Sequence, residues 1–337
     1  MKILFITSVP SFYKNLLFNE IAKKASLNIH FTNRSNISRS GDFFKYLDKG
    51  LLMKDRGFFS SFLELLKESR SADYIYYGGW DDILYWALIF WVPKSKNRMI
   101  LESSIFENKK KSISSGMLNY LKFLFLNKIS LVIASGTPHI CLLKELRFGG
   151  KIIMSNGVGL LDFKYPPLKI KLKSTINNFL FIGRISYLKG IDILIDFFSK
   201  NPNLKLHLVG TEQDYKINGQ HENIKFYGYK SRHELKDIFS ICDVFILPSR
   251  VETWGLVVEE ALYHGVPVVV SNVVGCNIDI VKNYNVGEIF DINSTLDFKQ
   301  KIDSIREPEA YNIYANNISS IDFEVRKKAY INSFLCE

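Results

Sequence analysis

Short apolar runs alternate along this chain with stretches of helical period. Lys2–Thr7, Leu27–Phe31, Asp73–Tyr77, Asn97–Leu101 and Leu131–Ala134 lie in the first half, with Ile152–Asn156 as a further edge. Phe179–Ile182, Leu204–Val209, Ile224–Tyr227, Val244–Leu247, Val266–Val270 and Val286–Phe290 follow in the second. Their length and continuous apolar character predict strands buried on both faces, as in parallel sheets. Between them, Phe12–Lys24 puts Leu16, Leu17, Phe18, Ile21 and Ala22 on one helical face, and Asp81-Asp82 can cap a helix holding Leu84, Trp86, Ala87 and Leu88. Met117–Lys128 keeps Met117, Tyr120, Leu121, Leu124 and Phe125 at helical spacing, Ser231 caps a helix with Leu235, Ile238 and Phe239, and Phe298–Ile305 and Phe323–Leu335 read as helices. Strand and helix in alternation predict an α/β protein. At 337 residues the chain exceeds one ordinary core, so two domains are expected.

The stretch Pro248–Ser271 concentrates the candidate chemistry. Val244–Leu247 ends at Pro248-Ser249; a helix should begin near Gly255, bury Leu256, Val257, Ala261 and Leu262, and stop at Gly265. Ligands of parallel sheets sit at the carboxyl ends of strands. Glu252 lies there, and Glu260 lies eight residues on, within the helix. Thr253-Trp254-Gly255-Leu256 between them brings backbone N–H groups to a helix N-terminus, which suits a phosphate. On these residues alone a second reading stays open, in which Glu252 caps the helix and Glu260 is solvated.

This pattern resembles the signature of the retaining nucleotide-sugar glycosyltransferases of family 4, in which two glutamates bracket a Gly-aromatic-Gly-hydrophobic segment and a Gly-x-Pro-Val strand follows. Here Thr253 stands where the family commonly has glycine. The resemblance extends to Phe179–Arg184 and Ile185–Gly190, a strand, Gly183-Arg184, and Lys189-Gly190 opening a helix. It implies the GT-B fold, two Rossmann-like α/β/α domains facing across a cleft: an acceptor-side domain over 1–165, a donor domain over 170–318, and a terminal helix over 319–337 packing back on the first. Arg184 and Lys189 would grip the donor diphosphate, Glu252 would meet sugar hydroxyls, and Glu260 would accept from the ribose. Tyr229 and Lys230, after the turn at Gly228, would face the nucleobase. The donor implied is a nucleoside diphosphate sugar, UDP- or GDP-linked, and the acceptor a glycan or lipid-linked hydroxyl. Asn156-Gly157-Val158 resembles the turn leading out of the first domain, and Leu161–Ser174, with Pro166-Pro167, reads as the linker.

The first domain departs from the family pattern. Val9-Pro10-Ser11-Phe12-Tyr13-Lys14 replaces a glycine-rich turn. Glu102-Ser103-Ser104 follows a strand, and by position Glu102 could orient or deprotonate an acceptor hydroxyl; a cap or loop contact is the alternative. Charge sharpens the contrast between halves. Of the formal +10, residues 1–160 carry 23 Lys and Arg against 12 Asp and Glu, and residues 161–337 carry 21 against 22. Phe43–Leu66 mixes aromatic and basic residues, and Lys109-Lys110-Lys111 precedes the Met117 helix. Peripheral contact with an anionic membrane and ordinary packing both fit.

Other classes recede. The longest apolar segment, Ile83–Val92, has ten residues, too few to span a bilayer. Nothing resembling a signal cleavage site follows Met1, so a cytoplasmic protein is expected, peripheral on the inner membrane face if the basic segments bind it. Cys141, Cys242, Cys276 and Cys336 lack metal-ligand spacing and read as reduced thiols. With no Asp-x-Asp triplet, neither a metal nor a cofactor is expected. Charge alone, without a reading motif, argues poorly for nucleic acid.

Overall fold

The computed structural model describes residues 1–8, 11–32, 57–102, 113–160, 172–217 and 221–335, with the backbone only of 113–115. Val9-Pro10, Arg34, Arg39, the aromatic and basic run from Phe43 to Arg56, Ser103-Ser104, Lys109-Lys110-Lys111, residues 161–171 of the expected linker, and Cys336 lie outside the described residues. The chain divides into two compact units, Met1–Asp162 with Glu324–Glu337, and Phe163–Phe323.

The first unit runs β1 (Lys2–Thr7), α1 (Phe12–Ala22), β2 (Ser26–Phe31), α2 (Phe58–Ser71), β3 (Tyr74–Tyr77), α3 (Ile83–Ile89), β4 (Asn97–Leu101), α4 (Ile113–Leu126), β5 (Leu131–Ala134), α5 (Thr137–Glu145) and β6 (Lys151–Met154). Its strands form a parallel sheet in the order β2-β1-β3-β4-β5-β6. Alternate strand residues feed two cores, as the pleat requires. Leu4, Ile75, Tyr77 and Met99 pack with Leu65 of α2, Leu88 of α3 and Phe125 of α4. Ile3, Phe5, Tyr76 and Ile100 pack on the other face with α1 and with Phe334 near the C-terminus.

The second unit runs β7 (Asn178–Ile182), α6 (Ile191–Ser199), β8 (Lys205–Val209), β9 (Ile224–Phe226), α7 (Arg232–Ile241), β10 (Val244–Leu247), α8 (Leu256–Tyr263), β11 (Val268–Ser271), β12 (Gly287–Phe290), α9 (Thr295–Arg306) and α10 (Pro308–Ser319). Its sheet, also parallel, has the order β12-β11-β10-β7-β8-β9. The last helix, α11 (Phe323–Leu335), seats its second half in the first unit. There the buried Arg98 donates to the Tyr76 hydroxyl (2.8 Å), which donates to the Phe334 carbonyl (2.7 Å). That chain supplies one of the carbonyl partners that a helix C-terminus lacks.

Two expectations need correcting, and one alternative left open is narrowed. Met117, Tyr120 and Leu121 of the α4 stripe are exposed, and α4 buries only Phe125 and Leu126 among its described side chains. Period identifies a face without saying what covers it. In α8 the buried side comprises Val258, Glu259, Ala261 and Leu262, while Leu256 and Val257 are half-buried. The strand expected from Val266 starts at Val268, because the Val266 N–H turns back to the Ala261 carbonyl (3.0 Å) to close the helix end.

His264 closes α8. Its N–H reaches the Glu260 and Ala261 carbonyls (3.1 Å each), and its ring stacks on Phe239 of α7 at 4.7 Å. Burial, with Lys236 adding repulsion, pushes its pKa down to about 4. A histidine whose folded pKa is depressed contributes stability that is whole above its unfolded pKa and is lost as pH falls towards the folded one. The unfolding midpoint should therefore fall between about pH 6.5 and pH 4. His264→Phe keeps the stacked ring and removes the proton site; it should flatten this dependence by about 1–3 kcal/mol in urea titrations across that range. His207, lowered chiefly by burial and by Lys225, leaves a residual slope of the same sign.

Candidate functional site

The second sheet grows from β7 outwards, first to β8 and β9, then back to β10 on the opposite edge of β7. Where the order reverses, two adjacent carboxyl ends diverge and leave a crevice for a ligand. The loops leaving those ends carry Gly183, Arg184 and Lys189 after β7, and Glu252, Thr253, Trp254 and Gly255 after β10. Topology thus gathers residues nearly seventy positions apart at one switch point.

Each loop is held by backbone. After β7 the Ile185 N–H donates to the Thr211 carbonyl (2.9 Å), and a 3₁₀ turn, Tyr187–Lys189, precedes Gly190. Gly190 has φ +72°, and a Cβ there would lie 1.9 Å from the Pro248 carbonyl oxygen, so only glycine lets this turn approach the β10 loop. Across that approach the Arg250 N–H donates to the Leu188 carbonyl (2.8 Å). On the other side the β10 loop is stitched to the segment after β11: the Gly275 N–H donates to the Glu252 carbonyl (3.0 Å) and the Cys276 N–H to the Trp254 carbonyl (2.9 Å). A Cβ on Gly275 would stand 2.0 Å from the Thr253 oxygen. Val274 and Cys276 are thereby buried and form a floor for the Glu252 loop.

Side chains complete the arrangement. Lys189 forms a partly buried ion pair with Glu252. Glu260 pairs with Arg232 of α7 at 2.7 Å. The first turn of α8 lies between the two glutamates, entered through Gly255 at φ +99° with no side-chain cap, leaving first-turn N–H groups without helical acceptors. Arg184 is exposed, donates to Gln213 at 3.2 Å, and keeps other donors directed to solvent. After β9, Tyr229 is exposed, and Lys230 pairs with Glu234, whose carboxyl is held down at about 2 by hydrogen bonds from Lys230 and from Ser231 in the capping box. Trp254 is expected to offer its backbone, and its side chain is engaged elsewhere. Its ring is buried and its Nε1–H donates to Glu259 at 2.7 Å, so only its backbone remains for a ligand.

Sequence reasoning missed three members. Arg250 grips Asp192 through two bonds (2.7 and 2.8 Å), donates to the Tyr187 carbonyl (2.7 Å), and lies 3.9 Å over the Tyr187 ring. It is the side-chain brace of the turn that presents Lys189, and hydrogen bonding to Asp192 raises its pKa further. Arg232 and Glu259 are the others. Only the Arg250 to Glu252 spacing could have hinted at the first.

In the first unit, Glu102 lies at the carboxyl end of β4 and pairs with Lys14 of α1 at 2.7 Å. Burial alone would lower the Lys14 pKa, yet Glu102, with Tyr13 and Asp81, raises it above its ordinary value. Among the described residues no group of three or more His, Cys, Asp or Glu is placed to hold a metal ion.

Comparison with known proteins places this geometry. Residues 168–319 match the family described as glycosyl transferases group 1. A protein of the cps region of Klebsiella pneumoniae is 29% identical over 172 residues, 47% of this chain and 45% of that protein. The chain spans less than half the length of the curated relatives it matches. Among solved structures, HepE of Anabaena in complex with UDP superposes with a TM-score of 0.71 at 16% identity, covering 100% of both chains. The lipopolysaccharide outer core galactosyltransferase WaaB superposes at 0.67 and 16%, covering 100% of this chain and 99% of the other. At such identities the likeness establishes the fold. Residues 168–319 are thus similar to the glycosyl transferases group 1 family, and the chain as a whole has the GT-B fold of these solved structures.

Proposed function

We propose that this protein is a retaining glycosyltransferase that moves a sugar from a nucleoside diphosphate sugar to a hydroxyl of a glycan or lipid-linked acceptor. The observation that carries the reading is the Lys189–Glu252 pair at the β7/β10 switch point, beside the uncapped start of α8 and flanked by Arg184 and Glu260. A diphosphate entering there meets a guanidinium suited to two phosphate oxygens, an ammonium point charge, and helix N–H groups. Those groups stabilise the charge that develops as the bond between the anomeric carbon and the β-phosphate oxygen breaks. Glu252, freed from Lys189, receives sugar hydroxyls, and Glu260, oriented by Arg232, receives those of the ribose. The acceptor oxygen bonds to the anomeric carbon on the face the phosphate leaves, and its proton passes to the departing phosphate. Glu102, held by Lys14, serves the acceptor side.

Relatives support the pathway. HepE was crystallised with UDP and with UDP-glucose, WaaB is named a lipopolysaccharide galactosyltransferase, and the Klebsiella relative comes from a cps region. A UDP- or GDP-sugar donor and a role in bacterial surface polysaccharide assembly, at the inner face of the membrane, follow as the reading of this chain.

A thermal-shift screen of nucleoside diphosphates and their sugars tests the donor site. One base should raise the melting temperature, and Glu260→Ala and Arg184→Ala should each remove the shift. No shift with any base would end the transferase reading. Sugar released from the donor with no acceptor present would assign a different reaction. Turnover should survive a chelator; loss that a divalent ion restores would place a metal in the mechanism. Arg250→Lys keeps the charge but not the fork on Asp192, and should weaken nucleotide binding about tenfold by calorimetry, some 1.4 kcal/mol. Unchanged affinity would show that the turn holds Lys189 without it.

A further inference from the structure

The first unit has a surface that its own core does not explain. Helices α2, α3 and α4 cover one face of the sheet, and their inward residues share a single core. Their outward sides should then be polar. Instead Phe59 is 78% exposed, Trp91 69%, Leu63 64% and Met117 63%, with Phe90 and Tyr120 more than half exposed. These residues belong to neighbouring elements. Phe62 of α2 meets Trp91 edge-on at 6.3 Å, Trp86 of α3 meets Phe125 of α4 at 5.0 Å, and Lys128 sets its ammonium 5.5 Å over Phe90.

Basic side chains are interleaved with the apolar ones. Lys67, Arg70, Lys94 and Lys128 are exposed, and Lys122 lies 5.2 Å over the Trp80 ring. Of the nearby acids, Asp82 caps α3, Glu68 pairs with His30, Glu64 is half-buried on α2, and Asp81 is exposed beside the start of α3. The unit as a whole is strongly cationic, as its 23 basic against 12 acidic residues over 1–160 require.

We propose that the outward side of α2, α3 and α4 is a docking surface for an anionic lipid bilayer. Lysine is depleted at protein–protein interfaces, whereas at a bilayer its stem lies along apolar surface while its ammonium reaches the headgroups. Tryptophan and tyrosine, each with an apolar body and a polar tip, suit the same boundary. Stable attachment needs an apolar and an electrostatic signal together, and this face supplies both. Among the described residues no helix is long and apolar enough to cross a membrane, so these helices lie along the surface. The inference uses no residue of the second unit and stands whether or not the transferase reading does.

Vesicle sedimentation tests it on the full chain. The protein should pellet with vesicles carrying about 30 mol% phosphatidylglycerol at about 0.05 M salt, and be released by neutral phosphatidylcholine vesicles or about 0.5 M salt. Phe59→Ser with Trp91→Ser, and separately Lys67→Glu with Lys128→Glu, should each lower the partition coefficient about tenfold or more at an unchanged unfolding midpoint. Failure of the parent protein to bind anionic vesicles, or equal binding by both variant pairs, overturns the assignment. So does a dimer in light scattering that the same substitutions dissolve, since the face would then belong to a second copy of this chain.

Discussion

Strand β10 has a neighbour on each side, and the loop leaving its carboxyl end is bonded to the loops that leave both neighbours. Towards β7, Arg250 donates its N–H to Leu188; towards β11, Glu252 accepts from Gly275. Between these two bonds the chain has little freedom, so main chain fixes where the Glu252 side chain departs and Lys189 holds its carboxylate. Close approach on both sides is possible only because Gly190 and Gly275 lack a Cβ. Everything proposed for the site depends on this double stitching: it sets Lys189 against Glu252 and brings the chain round to enter α8 at Gly255.

The same loops carry charges that are paired before any ligand arrives. Lys189 with Glu252 and Arg232 with Glu260 are partly buried pairs, and removing one partner from such a pair leaves the other desolvated and uncompensated. The pairs therefore hold their side chains at fixed points while keeping them available for exchange. In the proposed reaction, an anion that took Lys189 would release Glu252 to hydroxyl donors, and such an exchange would couple recognition of phosphate to recognition of sugar. Arg184, exposed and bonded to Gln213 at 3.2 Å among the described residues, is the more readily redirected of the cations.

Much of the frame was legible because parallel strands buried on both faces leave continuous apolar runs. β1, β4, β5 and β10 coincide with runs readable from residue type alone. Helices with weak contrast were not legible. α5, which opens with Thr137-Pro138 and buries His139, reads as a turn, and α10 carries Asn312, Asn316, Asn317 and Ser319, which mask Tyr311, Ala315 and Ile318. At the site, the glutamates and their bracketing segment were visible through resemblance, whereas their partners were not. Arg232 meets Glu260 from 28 residues away and Arg250 meets Asp192 from 58, and no local pattern encodes either contact. Trp254 adds a third such contact: the sequence offers its backbone to a ligand, and only the fold shows its indole N–H bonded to the buried Glu259.

The two units also divide their chemistry. In the second, basic and acidic residues nearly balance, and the site cations work as members of pairs or hydrogen bonds. Such a surface is suited to selecting a compact polyanion by geometry, because an isolated positive field would attract any anion. The first unit keeps its positive excess and places part of it among exposed aromatic rings on α2, α3 and α4. That combination has poor geometric selectivity but favours an extended boundary between water and hydrocarbon. A soluble, charged ligand and a planar, anionic, apolar-backed one make opposite demands on a protein surface: discrete paired charges for the first, diffuse charge over apolar area for the second. The two proposals assign these demands to separate sheets of this chain, so each could be altered without disturbing the residues assigned to the other.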